Sequence, residues 1–151
     1  MRIVVLIGLP GSGKSTYLER LGVTGLSSDV IRKLLADDET VQNIHPQVFE
    51  TLRYLLRQRM MLGRDVTYID ATNLTPVERR PYIAIGRAYG CEIEAVFFDV
   101  PLEVCLERNR RRSRAVPEEA VRLMAAKLRI PSPDEGFSRI IREGMSCDPN
   151  V

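Results

Sequence analysis

A lysine and a serine stand at the end of a glycine-rich stretch, at a spacing that could serve phosphate chemistry. The pattern G-x-x-x-x-G-K-[ST] is met by Gly8, Gly13, Lys14 and Ser15. In this pattern, consecutive backbone N–H groups converge on a polyphosphate, the lysine pairs with the β- and γ-phosphates, and the serine ligates Mg²⁺. The residues predicted to bind a nucleoside triphosphate are Gly8, Pro10, Gly11, Ser12, Gly13, Lys14, Ser15 and Thr16.

The sequence around this loop predicts the elements that position it. An apolar run at 3–7 is typical of a buried strand, and a helix that opens at about Gly13 would direct the positive end of its dipole to the same phosphates. Strands and helices then alternate, with strands predicted at 23–27, 66–70, 92–99 and 138–142. This order predicts a three-layer α/β fold with a mainly parallel sheet, whose active site lies at the carboxyl edge of the strands.

Two aspartates follow predicted strands and could act on a reacting group. Asp29 could take a proton from an acceptor hydroxyl, although Ser28 or Asp29 could instead cap the next helix. Asp70 closes the strand at 66–70, where an acid could orient Mg²⁺, and a turn-forming role is the alternative.

Cationic and imidazole side chains supply further candidates. Residues 108–114 contain five arginines, which could form a lid over the transferring phosphoryl group, a solvated patch or a nucleic-acid contact. His45 is the only histidine in the chain, and it lies in the polar segment 37–45, which we predict to be a surface loop that leaves the ring solvated.

Length and composition limit the class of protein. With 151 residues, 44% hydrophobic and 28% charged, the chain is expected to form one soluble domain over 1–151. The net charge of +2 neither favours nor excludes a nucleic-acid partner. Cys91, Cys105 and Cys147 are not spaced as metal ligands and indicate free thiols. No apolar segment is long enough to span a membrane. Both observations favour a cytoplasmic protein.

Taken together, these motifs resemble the polynucleotide 5′-hydroxyl kinase family and its small P-loop kinase relatives. The resemblance runs nearly from end to end, and its ordered motifs are GLPGSGKST, Asp29-x-x-Arg32, Asp70-Ala71-Thr72-Asn73-Leu74 with Glu78-Arg79-Arg80, Phe98-Asp99-Val100-Pro101, Arg108-Asn109 with Arg112, Ala115-Val116-Pro117 and the tail from Pro131 to Phe137. It implies an adenylate-kinase-like P-loop NTPase fold with an arginine-rich lid at approximately 108–116, and the use of ATP and Mg²⁺.

The resemblance also implies roles for individual residues. Asp29 matches the general base, and Arg32 matches the arginine that holds the phosphate next to the acceptor nucleoside. Arg112 matches the lid arginine on the donor phosphates, with Arg108 beside it. These assignments make Lys14, Asp29 and Arg112 the expected catalytic residues. The expected acceptor-binding residues are Asp29, Arg32, Asp70, Thr72 and Asn73, and the expected metal-binding residues are Ser15 and Asp70.

The chain departs from the family pattern at one active-site position. The phage-type enzymes carry their second aspartate where this chain has Ala71, one residue after Asp70. The choice between a metal role and an acceptor role for Asp70 therefore stays open. A phosphatase or ligase for the same repair pathway is expected to be a separate protein.

The sequence is compatible with three classes of function. An ATP-dependent kinase of DNA or RNA 5′-hydroxyl ends is favoured. The alternatives are a small-molecule kinase, acting on a nucleoside, sugar or antibiotic hydroxyl, and an ATP-binding switch or ATPase that has no acceptor.

Overall fold

The computed structural model describes residues 1–113 and 115–144, so Arg114 and Cys147 lie outside the described residues. A five-stranded sheet in the order β2-β3-β1-β4-β5 forms its centre. The strands are β1 (Arg2–Ile7), β2 (Leu26–Ser27), β3 (Val66–Asp70), β4 (Glu92–Asp99) and β5 (Arg139–Gly144). Each pair of neighbours in this sheet is parallel, so the loops that follow the strands meet at one edge.

Six α-helices and one 3₁₀ turn accompany these strands within the described residues. The helices are α1 (Lys14–Leu21), α2 (Ser28–Ala36), α3 (His45–Met61), α4 (Pro76–Ala88), α5 (Leu102–Arg110) and α6 (Glu118–Lys127), and the turn is Pro133–Glu135. No helix among the described ranges is long and apolar enough to cross a membrane.

Alternate side chains of β1 enter two different cores. Ile3, Val5 and Ile7 pack with α2, α3 and α4, whereas Val4 and Leu6 pack with Leu18 of α1 on the opposite face. Because successive side chains of a strand point to opposite faces, β1 is buried from both sides. The predicted three-layer α/β fold with a parallel sheet is confirmed.

Two sequence predictions around α2 and α3 need correction. The N-cap of α2 is Ser27, whose Oγ accepts a hydrogen bond from Val30 N at 3.3 Å, so the capping interpretation of Ser28 or Asp29 is wrong. His45 is the first residue of α3 and not part of the preceding loop, although it is exposed, as predicted. These errors displace a helix start by one or two residues, and side-chain patterns alone define helix ends poorly.

Candidate active site

The glycine-rich loop joins the central strand β1 to α1 and adopts a tightly curved path. Gly11 and Gly13 have φ angles of 82° and 103°, in the left-handed region that other residues rarely adopt. A Cβ on Gly8 would lie 2.5 Å from Ser12 Oγ, so the loop also folds closely onto itself. The backbone of this loop therefore requires glycine at the positions that the motif predicts.

Replacing Gly11 by Ala should weaken ADP binding at least tenfold. The new Cβ would lie 2.6 Å from the carbonyl oxygen of Cys105 and would add about 1–3 kcal/mol of backbone strain. Calorimetric titration with ADP measures the change in affinity. Gly22→Ala is the matched control, because Gly22 has a φ of 68° but open space around it, so its strain should lower the melting temperature without changing ADP affinity. Equal ADP affinities for the two variants would contradict this account of the loop.

Lys14 spans the loop and holds its two ends together. Its Nζ donates to Gly8 O at 2.7 Å and to Leu9 O at 2.9 Å. Burial lowers the pKa of Lys14 to about 8, against the opposing effects of the Asp70 and Asp29 carboxylates. The ammonium thus lies at the base of the cleft with two acidic groups in electrostatic reach.

The two aspartates lie at the carboxyl ends of the neighbouring parallel strands β2 and β3. Asp70 ends β3 in register with Ser27 of β2, and Asp29 lies in the first turn of α2, two residues beyond Ser27. Burial raises the pKa of the Asp70 carboxyl, Asp29 raises it further, and Lys14 opposes both effects. Asp29 itself is exposed to the cleft. The structure therefore brings Lys14, Asp29 and Asp70 into one electrostatic group.

An open cleft of about 1630 Å³ contains most of the predicted site residues. Those that line it are Pro10, Gly11, Ser12, Gly13, Lys14, Ser15, Thr16, Asp29, Arg32, Asp70, Thr72, Arg108 and Arg112. The hydroxyl of Ser15 and the carboxylate of Asp70 fit Mg²⁺, because this ion prefers oxygen ligands and keeps several waters. Bound there, Mg²⁺ would neutralise charge on the donor phosphates.

The arginine run divides between the cleft and the surface. Arg108 Nη1 donates to Gly11 O at 3.3 Å, and Arg112 lines the cleft. Arg110 instead pairs with Glu107 and Glu118, and Arg111 pairs with Glu107. Of the arginines that the structure describes in this run, Arg108 and Arg112 therefore face the cleft, and their role on donor phosphates stays a prediction.

Asn73 lies beneath the cleft and not along it. It is 2% exposed, has a φ of 49°, and donates from Nδ2 to Leu6 O at 2.7 Å and to Ala71 O at 3.3 Å. The amide thus connects β1 to the loop after β3. That buried amide does not line the cleft, so an acceptor-binding role for Asn73 stays a prediction that this geometry does not support.

Arg32 is the predicted site residue with the least expected surroundings. Its residue exposure is 4%, although it lines the cleft. Nη1 donates to Val41 O at 2.9 Å, and Nη2 lies 3.2 Å from His45 Nδ1. No carboxylate within residues 1–113 and 115–144 forms a salt bridge with it. No sequence pattern indicates a role for His45, because its contact with Arg32 joins residues thirteen positions apart.

Two proteins of known name are similar to this chain in sequence. L-seryl-tRNA(Sec) kinase of Mus musculus is 39% identical over 66 residues, which cover 42% of this chain and 18% of the mouse protein. The bifunctional polynucleotide phosphatase/kinase of Schizosaccharomyces pombe is 25% identical over 150 residues, which cover 96% of this chain and 34% of the yeast protein. The chain thus spans a minor part of either relative's length.

A solved structure shares the fold over nearly the whole chain. Kti12 of Chaetomium thermophilum, crystallised with ADP-AlF3, has a TM-score of 0.70 and 19% sequence identity, over 98% of this chain and 92% of that one. A family model described as an AAA domain, AAA_33, matches residues 3–131. Because this match covers most of the chain and includes the whole glycine-rich loop, the chain belongs to the AAA_33 family of AAA domains.

Proposed function

We propose that this protein is an ATP-dependent kinase that transfers the γ-phosphoryl group to a hydroxyl, with the 5′-hydroxyl of a DNA or RNA end as its acceptor. The observation that carries the kinase assignment is the group formed by Lys14, Asp29 and Asp70 at the end of the phosphate-binding loop. An exposed carboxylate such as Asp29 can take a proton from an acceptor hydroxyl or from water, and the kinase proposal assigns it the hydroxyl.

The chemistry follows from the positions of these side chains. Asp29 accepts the proton of the acceptor hydroxyl while the hydroxyl oxygen forms a bond to the γ-phosphorus. The bond between that phosphorus and the β,γ-bridging oxygen breaks, and ADP leaves. Lys14, with Arg108 and Arg112, stabilises negative charge on the transferring group and on the leaving phosphates.

In this proposal the arginine-rich segment at 108–116 acts as a lid; residue 114 lies outside the described residues. Arg108 donates a hydrogen bond to Gly11 O of the glycine-rich loop, and Ala115 and Val116 line the cleft. Closing this segment over the donor would exclude water from the reacting group, which favours transfer to the acceptor over hydrolysis.

Arg32 supports an acceptor that carries a phosphate. A buried cation is costly unless an anion pairs with it, and both groups that accept hydrogen bonds from Arg32 are neutral. The remaining N–H groups of its planar fork suit phosphate oxygens. A nucleic-acid end offers such a phosphate next to its 5′-hydroxyl, whereas a free sugar or nucleoside does not.

The names of the two relatives support an acceptor that is part of a nucleic acid. One is an L-seryl-tRNA(Sec) kinase and the other a bifunctional polynucleotide phosphatase/kinase. In this proposal, a separate phosphatase or ligase processes the same ends before or after phosphorylation, and Mg²⁺ held by Ser15 and Asp70 accompanies the donor.

Changing Arg32 tests the acceptor class. Arg32→Ala should raise the KM for a 5′-hydroxyl oligonucleotide about 10- to 100-fold, because it removes hydrogen bonds to a charged group, and should leave the KM for ATP nearly unchanged. Arg32→Lys retains the charge and should show an intermediate KM if the alanine variant folds poorly. Arg57→Ala, an exposed arginine on α3, is the matched control. An unchanged oligonucleotide KM in both Arg32 variants would exclude a phosphate-bearing acceptor.

A further inference from the structure

The contact between Arg32 and His45 is compatible with only one form of the histidine ring as a hydrogen-bond acceptor. A guanidinium has donors and no acceptor, so a hydrogen bond across the 3.2 Å between Arg32 Nη2 and His45 Nδ1 requires Nδ1 to accept. A ring that accepts at Nδ1 is neutral and carries its proton on Nε2. Arg32 Nη1 donates to Val41 O, so both terminal nitrogens are held from the side of the α2–α3 connection.

We propose that His45 is a positioning residue, which holds the Arg32 guanidinium ready for an acceptor phosphate only while its imidazole is neutral. This inference rests on the proposed function. A carboxylate at the same position would orient Arg32 equally well, but it would neutralise the cation and compete with the phosphate. A neutral imidazole orients the fork and leaves its full charge for the ligand.

The surroundings of the ring set the direction of the pH dependence. Phe49, one turn along α3, lies with its ring centroid 5.1 Å from that of His45, and the charged groups acting on the imidazole are Arg32 of α2 and Glu78 of α4. Burial lowers the pKa of His45, Arg32 lowers it further, and Glu78 opposes the change. The neutral form, and with it the hydrogen bond from Arg32, is therefore favoured at neutral pH and is lost as the pH falls.

Protonation of His45 therefore has two effects, and both weaken the hold on the Arg32 guanidinium. It removes the acceptor lone pair at Nδ1, and it places a second cation against Arg32. Affinity for a phosphate-bearing acceptor should be constant at neutral pH and should fall below a pH that is lower than the usual histidine value of about 6.5. An internal phosphodiester does not titrate in this range, and the variant His45→Asn separates the effect of the histidine from that of the Asp70 carboxyl, whose pKa is raised.

Kinetics on three variants test the positioning role. His45→Ala should raise the oligonucleotide KM about tenfold and leave both kcat and the KM for ATP within about twofold of wild type. His45→Asn should restore most of the acceptor affinity, because its side-chain oxygen can accept near the position of Nδ1, and should abolish the rise in KM at low pH. Gln47→Ala, on the same turn of α3, is the exposed control. An unchanged acceptor KM in His45→Ala, or equal losses for ATP and acceptor, would overturn the inference.

Nuclear magnetic resonance tests the pairing without any acceptor. Because His45 is the only histidine in the chain, its ring gives a single set of imidazole resonances. We expect the Nε2–H tautomer at neutral pH, and Arg32→Gln should raise the pKa of His45. A proton on Nδ1, or a pKa that Arg32→Gln leaves unchanged, would refute the positioning role even in an active kinase. The expected resonances in a protein that phosphorylates no 5′-hydroxyl end would instead show that the proposed function has failed.

Discussion

Replacing Asp29 by Asn should lower kcat about 10²- to 10⁴-fold while the KM for ATP changes little. The asparagine has nearly the same shape but cannot accept the proton of the acceptor hydroxyl. Because the N-cap of α2 is Ser27, Asp29 is not needed to begin the helix, and the melting temperature should change by only a few degrees. Steady-state kinetics with a 5′-hydroxyl oligonucleotide and a thermal melt of the same preparation give both values.

Asp37→Asn is the matched control for this substitution. Asp37 lies at the other end of α2 with a φ of 61°, a conformation that asparagine tolerates well, so kcat should remain at the wild-type value. A normal kcat in Asp29→Asn, or a fall of the same size in Asp37→Asn, would rule out Asp29 as the general base.

Replacing Lys14 by Ala should reduce phosphoryl transfer at least about 10²- to 10³-fold and should weaken ATP binding as well. The variant loses the ammonium that pairs with the donor phosphates and that joins Gly8 O to Leu9 O. The pKa of Lys14 is lowered to about 8, which means that the folded protein disfavours its charged form. Removing the charge itself should therefore cost little stability, whereas losing the hydrogen bonds to Gly8 O and Leu9 O should lower the free energy of unfolding by about 1–3 kcal/mol.

Calorimetric binding, single-turnover transfer and thermal unfolding separate these effects. Lys127→Ala, an exposed lysine at the end of α6, should match wild type in all three. Retained transfer in Lys14→Ala would contradict the assigned role of the loop. A large loss of stability in the same variant would show that Lys14 has a mainly structural function.

Much of the fold could be predicted because the chain's local patterns agree with its tertiary packing. The strands Val66–Asp70 and Glu92–Asp99 are predicted with their observed bounds, since both are short apolar runs of the kind that parallel sheets bury. The helix at Pro76 begins where a proline favours a first turn. The glycine-rich loop could be assigned because its chemistry depends on consecutive residues.

Other parts of the site depend on contacts between distant residues. The partner of Arg32 lies across the α2–α3 connection, and no local pattern indicates that this arginine is buried without a carboxylate. Asn73 donates to Leu6 O, 67 residues away, through strand neighbours that only the sheet order reveals. Similarly, Arg110 and Arg111 form ion pairs with glutamates at the surface and do not line the cleft. A run of arginines in the sequence does not indicate which of them form such pairs.

The most direct test of the central claim is transfer of label from γ-labelled ATP, with Mg²⁺, to an oligonucleotide with a 5′-hydroxyl. The same oligonucleotide carrying a 5′-phosphate, a nucleoside 3′-monophosphate, a free nucleoside and a simple sugar are offered in parallel. We predict label on the 5′-hydroxyl oligonucleotide and on the nucleoside 3′-monophosphate, and none on the 5′-phosphorylated chain. Label on the sugar or free nucleoside alone, or released only as inorganic phosphate, would contradict the assignment of a nucleic-acid 5′-end as the acceptor.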